Sequence, residues 1–131
     1  MIKRFFLLTI SLVVLTGFNN LYAGDEAKGK KIFKKCAACH NVAEGAKHKT
    51  GPNLWGIYGA KAAVADGYKY SSWLKDSGIE WNDENLAAWV SPKKVRQEKL
   101  GKDSKKSKMI FSGLRKQDQI DDLIAYLKTL K

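Results

Sequence analysis

Only two cysteines occur in the chain, and both stand in one pentapeptide, Cys36-Ala37-Ala38-Cys39-His40, which also holds one of its two histidines. A Cys-x-x-Cys-His sequence is the attachment pattern for c-type haem, and the spacing has a physical reason. On one turn of backbone, two thiols can add to the two vinyl groups of the macrocycle while the next residue places an imidazole nitrogen on the iron. No other stretch constrains the fold as much, because the rest of the chain must then wrap a flat apolar group. Two other readings start from the same residues. A Cys-x-x-Cys pair alone serves thioredoxin-type exchange, which expects a βαβ surround that this sequence does not provide. Cys36, Cys39, His40 and His48 could also be four zinc ligands, although structural zinc sites usually space their ligand pairs differently and rarely use adjacent Cys and His.

The N-terminus reads as an export signal. Lys3 and Arg4 form its basic start, Phe5 to Leu15 its apolar run, and Leu21-Tyr22-Ala23 its cleavage site. Gly17, Asn19 and Asn20 break the run, which falls short of the ~20 apolar residues of a spanning helix; an uncleaved membrane anchor is the alternative. The expected organisation is a signal peptide over residues 1–23 and one small domain over residues 24–131, and the expected location is the periplasm. Cleavage removes Met1 and leaves Met109 as the one methionine of the mature chain. It also removes two of the 24 basic residues and none of the 13 acidic ones, so the mature chain carries 22 against 13, a net charge of +9. Nucleic acid, anionic lipid and acidic proteins all attract such a surface. Export and the lack of a nucleic-acid-binding signature argue against the first. Acidic protein partners are the expected ones, with transient contact to a membrane surface as a further option.

Along the chain the periodicity is helical. Asp25 is a fair N-cap, and Gly29, Ile32, Phe33 and Cys36 fall at i, i+3, i+4 and i+7, with lysines on the other face. Gly29 on the buried stripe costs about 1 kcal/mol of helix propensity; either something approaches the backbone closely there or the glycine is incidental. His40 is followed by loop, in which Thr50 to Leu54 lies close enough for a carbonyl to reach back to the imidazole. Residues 68–75 are aromatic and weakly helical. Asn82 caps a clearer helix, with Leu86, Trp89 and Val90 on one face, which Ser91-Pro92 ends. Residues 93–108 read as an exposed, mobile basic segment, with one helical turn near Val95 to Leu100. Met109-Ile110-Phe111 returns the chain to the core, and a last helix from about Gln117 to Leu130 carries Ile120, Leu123, Ile124, Leu127 and Leu130 as its stripe. No strand run or internal repeat appears, so the mature domain is expected to be all-α.

These residues resemble the class I c-type cytochromes over essentially the whole mature chain. The resemblance rests on Gly29 and Phe33 before the Cys36–His40 motif, Lys47-His-Lys-Thr-Gly-Pro-Asn-Leu54, Tyr68-Lys-Tyr70, Gly78-Ile-Glu-Trp81, Ser91-Pro-Lys-Lys94, Lys108-Met-Ile-Phe111 and Asp122-Leu-Ile-Ala-Tyr-Leu-Lys128. The signal and the basic insertion between Pro92 and Met109 resemble the bacterial cytochrome c2 branch. The resemblance implies a single-domain cytochrome c fold, in which the N- and C-terminal helices cross and shorter helices and loops wrap one haem. It makes Cys36 and Cys39 the thioether links, His40 the proximal ligand and Met109 the distal one; read alone, a methionine near a helix is usually a core residue. It gives Pro52 a carbonyl for His40, has Tyr70 and Trp81 hydrogen-bond a haem propionate with Ser71 and Ser107 as helpers, sets Gly29 and Phe33 against Leu123 and Tyr126, and makes His48 a structural tie between loops. Three positions depart from the pattern. Ala60 stands where an arginine is usual, with Lys61 the candidate substitute; Leu74 replaces an asparagine; and Trp89 replaces a tyrosine that reaches the methionine sulfur, where an indole N–H can also donate.

The function so implied is that of a soluble, monomeric one-electron carrier, not an enzyme, running between a bc1-type complex and a terminal oxidase or photosynthetic reaction centre. A thioether ligand favours ferrous iron and raises the potential. Lys35, Lys93, Lys94 and Lys108 are the expected docking lysines. The rival functions are a haem enzyme or gas binder, which needs an open sixth position, and a binding module whose basic surface alone does the work.

Overall fold

The computed structural model describes residues 24–131; the expected signal and its cleavage site lie outside them. Among the described residues, five α-helices and one short 3-10 helix follow in order: α1 (Glu26–Phe33), α2 (Ser72–Asp76), α3 (Asp83–Val90), α4 (Lys93–Leu100), the 3-10 helix (Lys102–Lys106) and α5 (Gln117–Leu127). Among the described residues no strand forms, and one isolated antiparallel bridge joins Lys61 and Glu80.

Local chemistry starts the helices where the sequence places them. The Asp25 carboxylate accepts the Lys28 N–H at 2.9 Å, and Asn82 likewise accepts the Asn85 N–H at 2.9 Å, each satisfying a donor that the first turn leaves free. Ser71 caps α2 in the same way. After Phe33 the chain tightens, and the N–H groups of Cys39 and His40 both donate to the Cys36 carbonyl at 3.0 Å. The attachment motif is thus a single compact turn at the end of α1. α5 stops at Leu127 and not at Leu130, because the N–H and the hydroxyl of Thr129 both donate to the Tyr126 carbonyl, at 3.0 and 2.7 Å, in the i+3 pattern that closes helix ends. Leu130 nevertheless stays buried.

α1 lies across α5. The Asp25 N–H donates to the Asp122 carboxylate at 2.6 Å, and the Phe33 and Tyr126 rings pack with centroids 5.4 Å apart. A Cβ on Gly29 would strike the Asp122 carbonyl oxygen and come within 2.8 Å of the Tyr126 Cβ. Close approach of the two backbones therefore accounts for the glycine, with Asp122, more than Leu123, as the contact. Leu123 is the least exposed residue of the apolar core, which also holds Phe33, Trp81, Leu86, Trp89, Leu114, Ile120 and Ile124.

Two expectations are corrected. The basic segment 93–108 is folded: α4 makes two turns, and the 3-10 helix follows it through Gly101 at φ 93°. Its lysines face solvent, but Arg96 is 6% exposed and Ser104 is fully buried. Counting large apolar residues misses this, because an arginine packs through its aliphatic stem and the flat face of its guanidinium. Ile110, expected in the core, is 99% exposed. Residues 107–112 alternate between half-buried and exposed, as extended backbone does. Met109 and Phe111 therefore turn inward, Ile110 turns out, and Leu114 is the residue that re-enters the core.

Candidate haem site

The turn after α1, the loop at residues 50–65, α2, α3 and the extended strap around Met109 surround one cleft of about 340 Å³, a size typical of cofactor pockets. The structure brings Cys36, Cys39, His40, Pro52, Tyr70, Ser71, Trp81, Trp89, Ser107 and Met109 together along it. Much of the remaining wall is apolar, with Leu74, Leu86, Val90 and Leu123 contributed by the core.

The His40 Nδ1–H donates to the Pro52 carbonyl at 2.7 Å. That bond fixes the tautomer and leaves the Nε2 lone pair free to bind a metal. Burial holds the imidazole below its ordinary pKa, against the opposing pull of the Pro52 bond, so the ring is neutral at pH 7. Gly51 packs on the ring: a Cβ there would come within 2.7 Å of Nδ1. The neighbouring cysteines are not disulfide-bonded, and burial pushes the Cys36 thiol up. An exchange-active cysteine is shifted the other way, which counts against the thioredoxin reading.

Zinc finds no site among the described residues either. Among the described residues no three His, Cys, Asp or Glu side chains are grouped to hold a metal. His48 spends both ring nitrogens on backbone: Nε2–H donates to the Asp66 carbonyl at 2.7 Å, and Nδ1 accepts the Asn53 N–H at 2.9 Å. Two loops are tied together by that ring.

The Met109 side chain is also held. The Trp89 Nε1–H donates to the Met109 Sδ at 3.0 Å, and the Met109 N–H donates to the Ser107 hydroxyl at 3.1 Å. An indole therefore does reach the sulfur. The polar side of the cleft has a consistent chemistry. The hydroxyls of Tyr70, Ser71 and Ser107 each accept a backbone N–H, from Ala65, Leu74 and Met109, which leaves each O–H proton to donate elsewhere. Trp81 is buried against the cleft, its backbone held by exchanged bonds with Ala60 and Gly59 at 2.8 and 2.9 Å. Ala60 and Lys61 lie on the rim, and buried Leu74 fills wall space with an apolar side chain. A free imidazole nitrogen, two thiols, apolar walls and a patch of hydroxyl donors fit a flat apolar macrocycle with an acidic edge.

Among the expected docking lysines, Lys35 and Lys108 border the cleft, and Lys93 and Lys94 are exposed at the start of α4. The Lys108 ammonium also donates to the Lys69 carbonyl at 2.8 Å. Sequence reasoning missed Trp73 and Arg96. The Trp73 ring lies parallel to that of Trp89 at 6.2 Å, and the Arg96 guanidinium lies over the Trp89 ring at 5.4 Å. A usable signal existed for Arg96, which stands at helical spacing from both Pro92 and Leu100.

An all-α domain with crossed terminal helices and a Cys-x-x-Cys-His turn on an apolar cleft is the architecture of class I c-type cytochromes. The cytochrome c family model matches residues 26–131. Cytochrome c2 of Rhodospirillum rubrum is 48% identical over 112 residues, covering 82% of this chain and 99% of that protein. Cytochrome c of Nigella damascena is 41% identical over 113 residues, covering 85% and 95%. The solved structure of cytochrome cH from Methylobacterium extorquens superposes with a TM-score of 0.69 at 42% identity, covering 81% of this chain and 99% of that one. The chain belongs to the cytochrome c family, in its c2 branch. It binds one haem c covalently through Cys36 and Cys39, and it carries electrons and is not an enzyme.

Proposed function

We propose that His40 and Met109 would both hold the haem iron, and that the protein shuttles single electrons in the periplasm between a bc1-type complex and a terminal oxidase or photosynthetic reaction centre. The observation that carries this reading is that the two candidate ligands line one apolar cleft and each is locked by a hydrogen bond, His40 to Pro52 and Met109 from Trp89. When bound, the haem supplies a one-electron change between ferrous and ferric iron. The protein's own residues do the rest. Neutral His40 presents Nε2, and Met109 closes the site against exogenous ligands. Tyr70, Ser71, Trp81 and Ser107 offer donors to the propionates, Lys61 adds a cation at the rim, and the apolar walls exclude water, so little reorganises when the iron changes charge. Carbon monoxide is the direct test: the reduced protein at neutral pH is expected not to bind it, and ready binding would overturn the closed site.

Lys35, Lys93, Lys94 and Lys108 are proposed to meet acidic partners as a monomer. Exposed charges steer encounters but are screened beyond about 8 Å at physiological salt. Electron-transfer rates with a bc1-type complex or an oxidase are therefore expected to fall several-fold as ionic strength rises from roughly 0.05 to 0.3 M; a flat response would refute electrostatic docking. No described helix is long and apolar enough to cross a membrane. Export by cleavage after Ala23 predicts a mature chain beginning at Gly24, which the mass of the native protein checks; a mass that includes residues 1–23 would instead support the anchor.

A further inference from the structure

Arg96 presents a chemical problem that the carrier function does not explain. The side chain is 6% exposed, yet its Nε and Nη1 have no hydrogen-bond partner among the described residues. No carboxylate pairs with it: the ion pairs among the described residues are Lys106 with Asp103 and Lys128 with Asp83, and Glu98 of the same helix is exposed. An arginine does not shed its proton to escape such a place, so a cation is largely buried with two of its three nitrogens unpaired, an arrangement that is costly unless something opposes it. What the guanidinium does touch is the Trp89 ring, 5.4 Å from its centroid. Trp81 packs on the same indole at 5.1 Å and 63°, and Trp73 lies parallel to it at 6.2 Å. This ring is the one whose N–H reaches the Met109 sulfur at 3.0 Å.

We propose that Arg96 is a positioning residue for the redox centre, a buried cation that holds Trp89 against Met109 and biases the iron toward its ferrous state. The inference rests on the reading of Met109 as an axial ligand. Two effects act in the same direction. Ferric iron carries one more positive charge than ferrous iron, so a nearby cation shielded from water opposes oxidation. A cation on the indole face also draws electron density from the ring and strengthens N–H donation to the sulfur; the sulfur then donates less to the metal, which again disfavours the ferric state. Leu74 and Trp89, where the family pattern has an asparagine and a tyrosine, leave the cleft fewer polar groups to adjust the potential. Arg96 supplies an adjustment from the other contact of the indole.

The test is a reduction titration, with the near-infrared spectrum of the oxidised protein, on the native protein, Arg96→Met and Arg96→Lys. Methionine keeps the stem and roughly the volume while removing the charge; lysine keeps the charge and loses the plane. In Arg96→Met the ferric/ferrous equilibrium is expected to shift about tenfold toward ferric, which is about 59 mV for one electron, with the methionine-to-iron band still present. In Arg96→Lys it is expected to stay within about twofold of the native value. Arg96→Gln is the second neutral variant should the methionine variant fold poorly. A neutral variant that keeps the band and stays within about twofold of the native equilibrium overturns the proposal, and so does a lysine variant that shifts as far as the methionine one. A native spectrum without the band instead removes the Met109 reading on which the proposal rests.

Discussion

Replacing Met109 with alanine is expected to abolish the weak near-infrared band of the oxidised protein, to let the reduced protein bind carbon monoxide and to lower the reduction potential. The drop should be on the order of 0.2 V, a modest part of the ~0.8 V that axial ligands span. The reasoning runs through the side chain's surroundings. Met109 lies on an extended strap, with its amide held by Ser107 and its sulfur held by Trp89. Alanine removes the thioether and leaves the indole N–H without its acceptor, and the described residues group no other His or Cys around the cleft than the attachment motif. A native protein with the band and a Met109→Ala variant that keeps it would show that the sulfur is not the ligand.

Gly29→Val should be among the most destabilising changes outside the cofactor site. Valine has the better helix propensity by a few tenths of a kcal/mol, so an isolated α1 would tolerate it. The crossing would not. Even a single Cβ at this position meets the Asp122 carbonyl and the Tyr126 Cβ, and the carbonyl belongs to helix backbone that cannot rotate away. Overpacking of this kind costs about 1–3 kcal/mol, and more where backbone must move. Against a total stability of about 5–15 kcal/mol, a loss of about 3 kcal/mol or more is expected in guanidinium unfolding. Gly29→Ala should lose less but still lose. A Gly29→Ala variant as stable as the native protein would mean that the helices have slack at the crossing. At Gly45, by contrast, no atom lies within 4 Å of an added Cβ, and the cost there is limited to its positive φ.

Much of this site was legible in the order of residues. The spacing of Cys36, Cys39 and His40 places them on one turn, as thioether attachment and the proposed ligation by His40 require, and that turn forms through paired bonds to the Cys36 carbonyl. Asp25 and Asn82 announced their helices, since capping is a local contest among neighbouring donors and acceptors. The Ile120–Leu127 stripe announced α5. The resemblance to a known family, more than periodicity, brought Pro52, Tyr70, Ser71, Trp81, Trp89, Ser107 and Met109 to the cleft, residues separated by long stretches of chain that no local rule connects.

Other features depended on packing between elements far apart in sequence. Gly29 looked like a mild defect in a helix until the Asp122 backbone was found against it. Residues 93–108 looked solvated because their composition is polar, yet Arg96 lies under cover on Trp89 and Ser104 is fully buried. Ile110 looked like core because it is apolar, and the pleat of the strap turned it outward. The cofactor, its attachment and the helical class follow from bond-length spacing and near-neighbour periodicity, which the order of residues already carries. Which face of each element meets another is set by contacts between residues far apart in the chain, and so is the position of a largely buried cation two contacts from the candidate ligand sulfur.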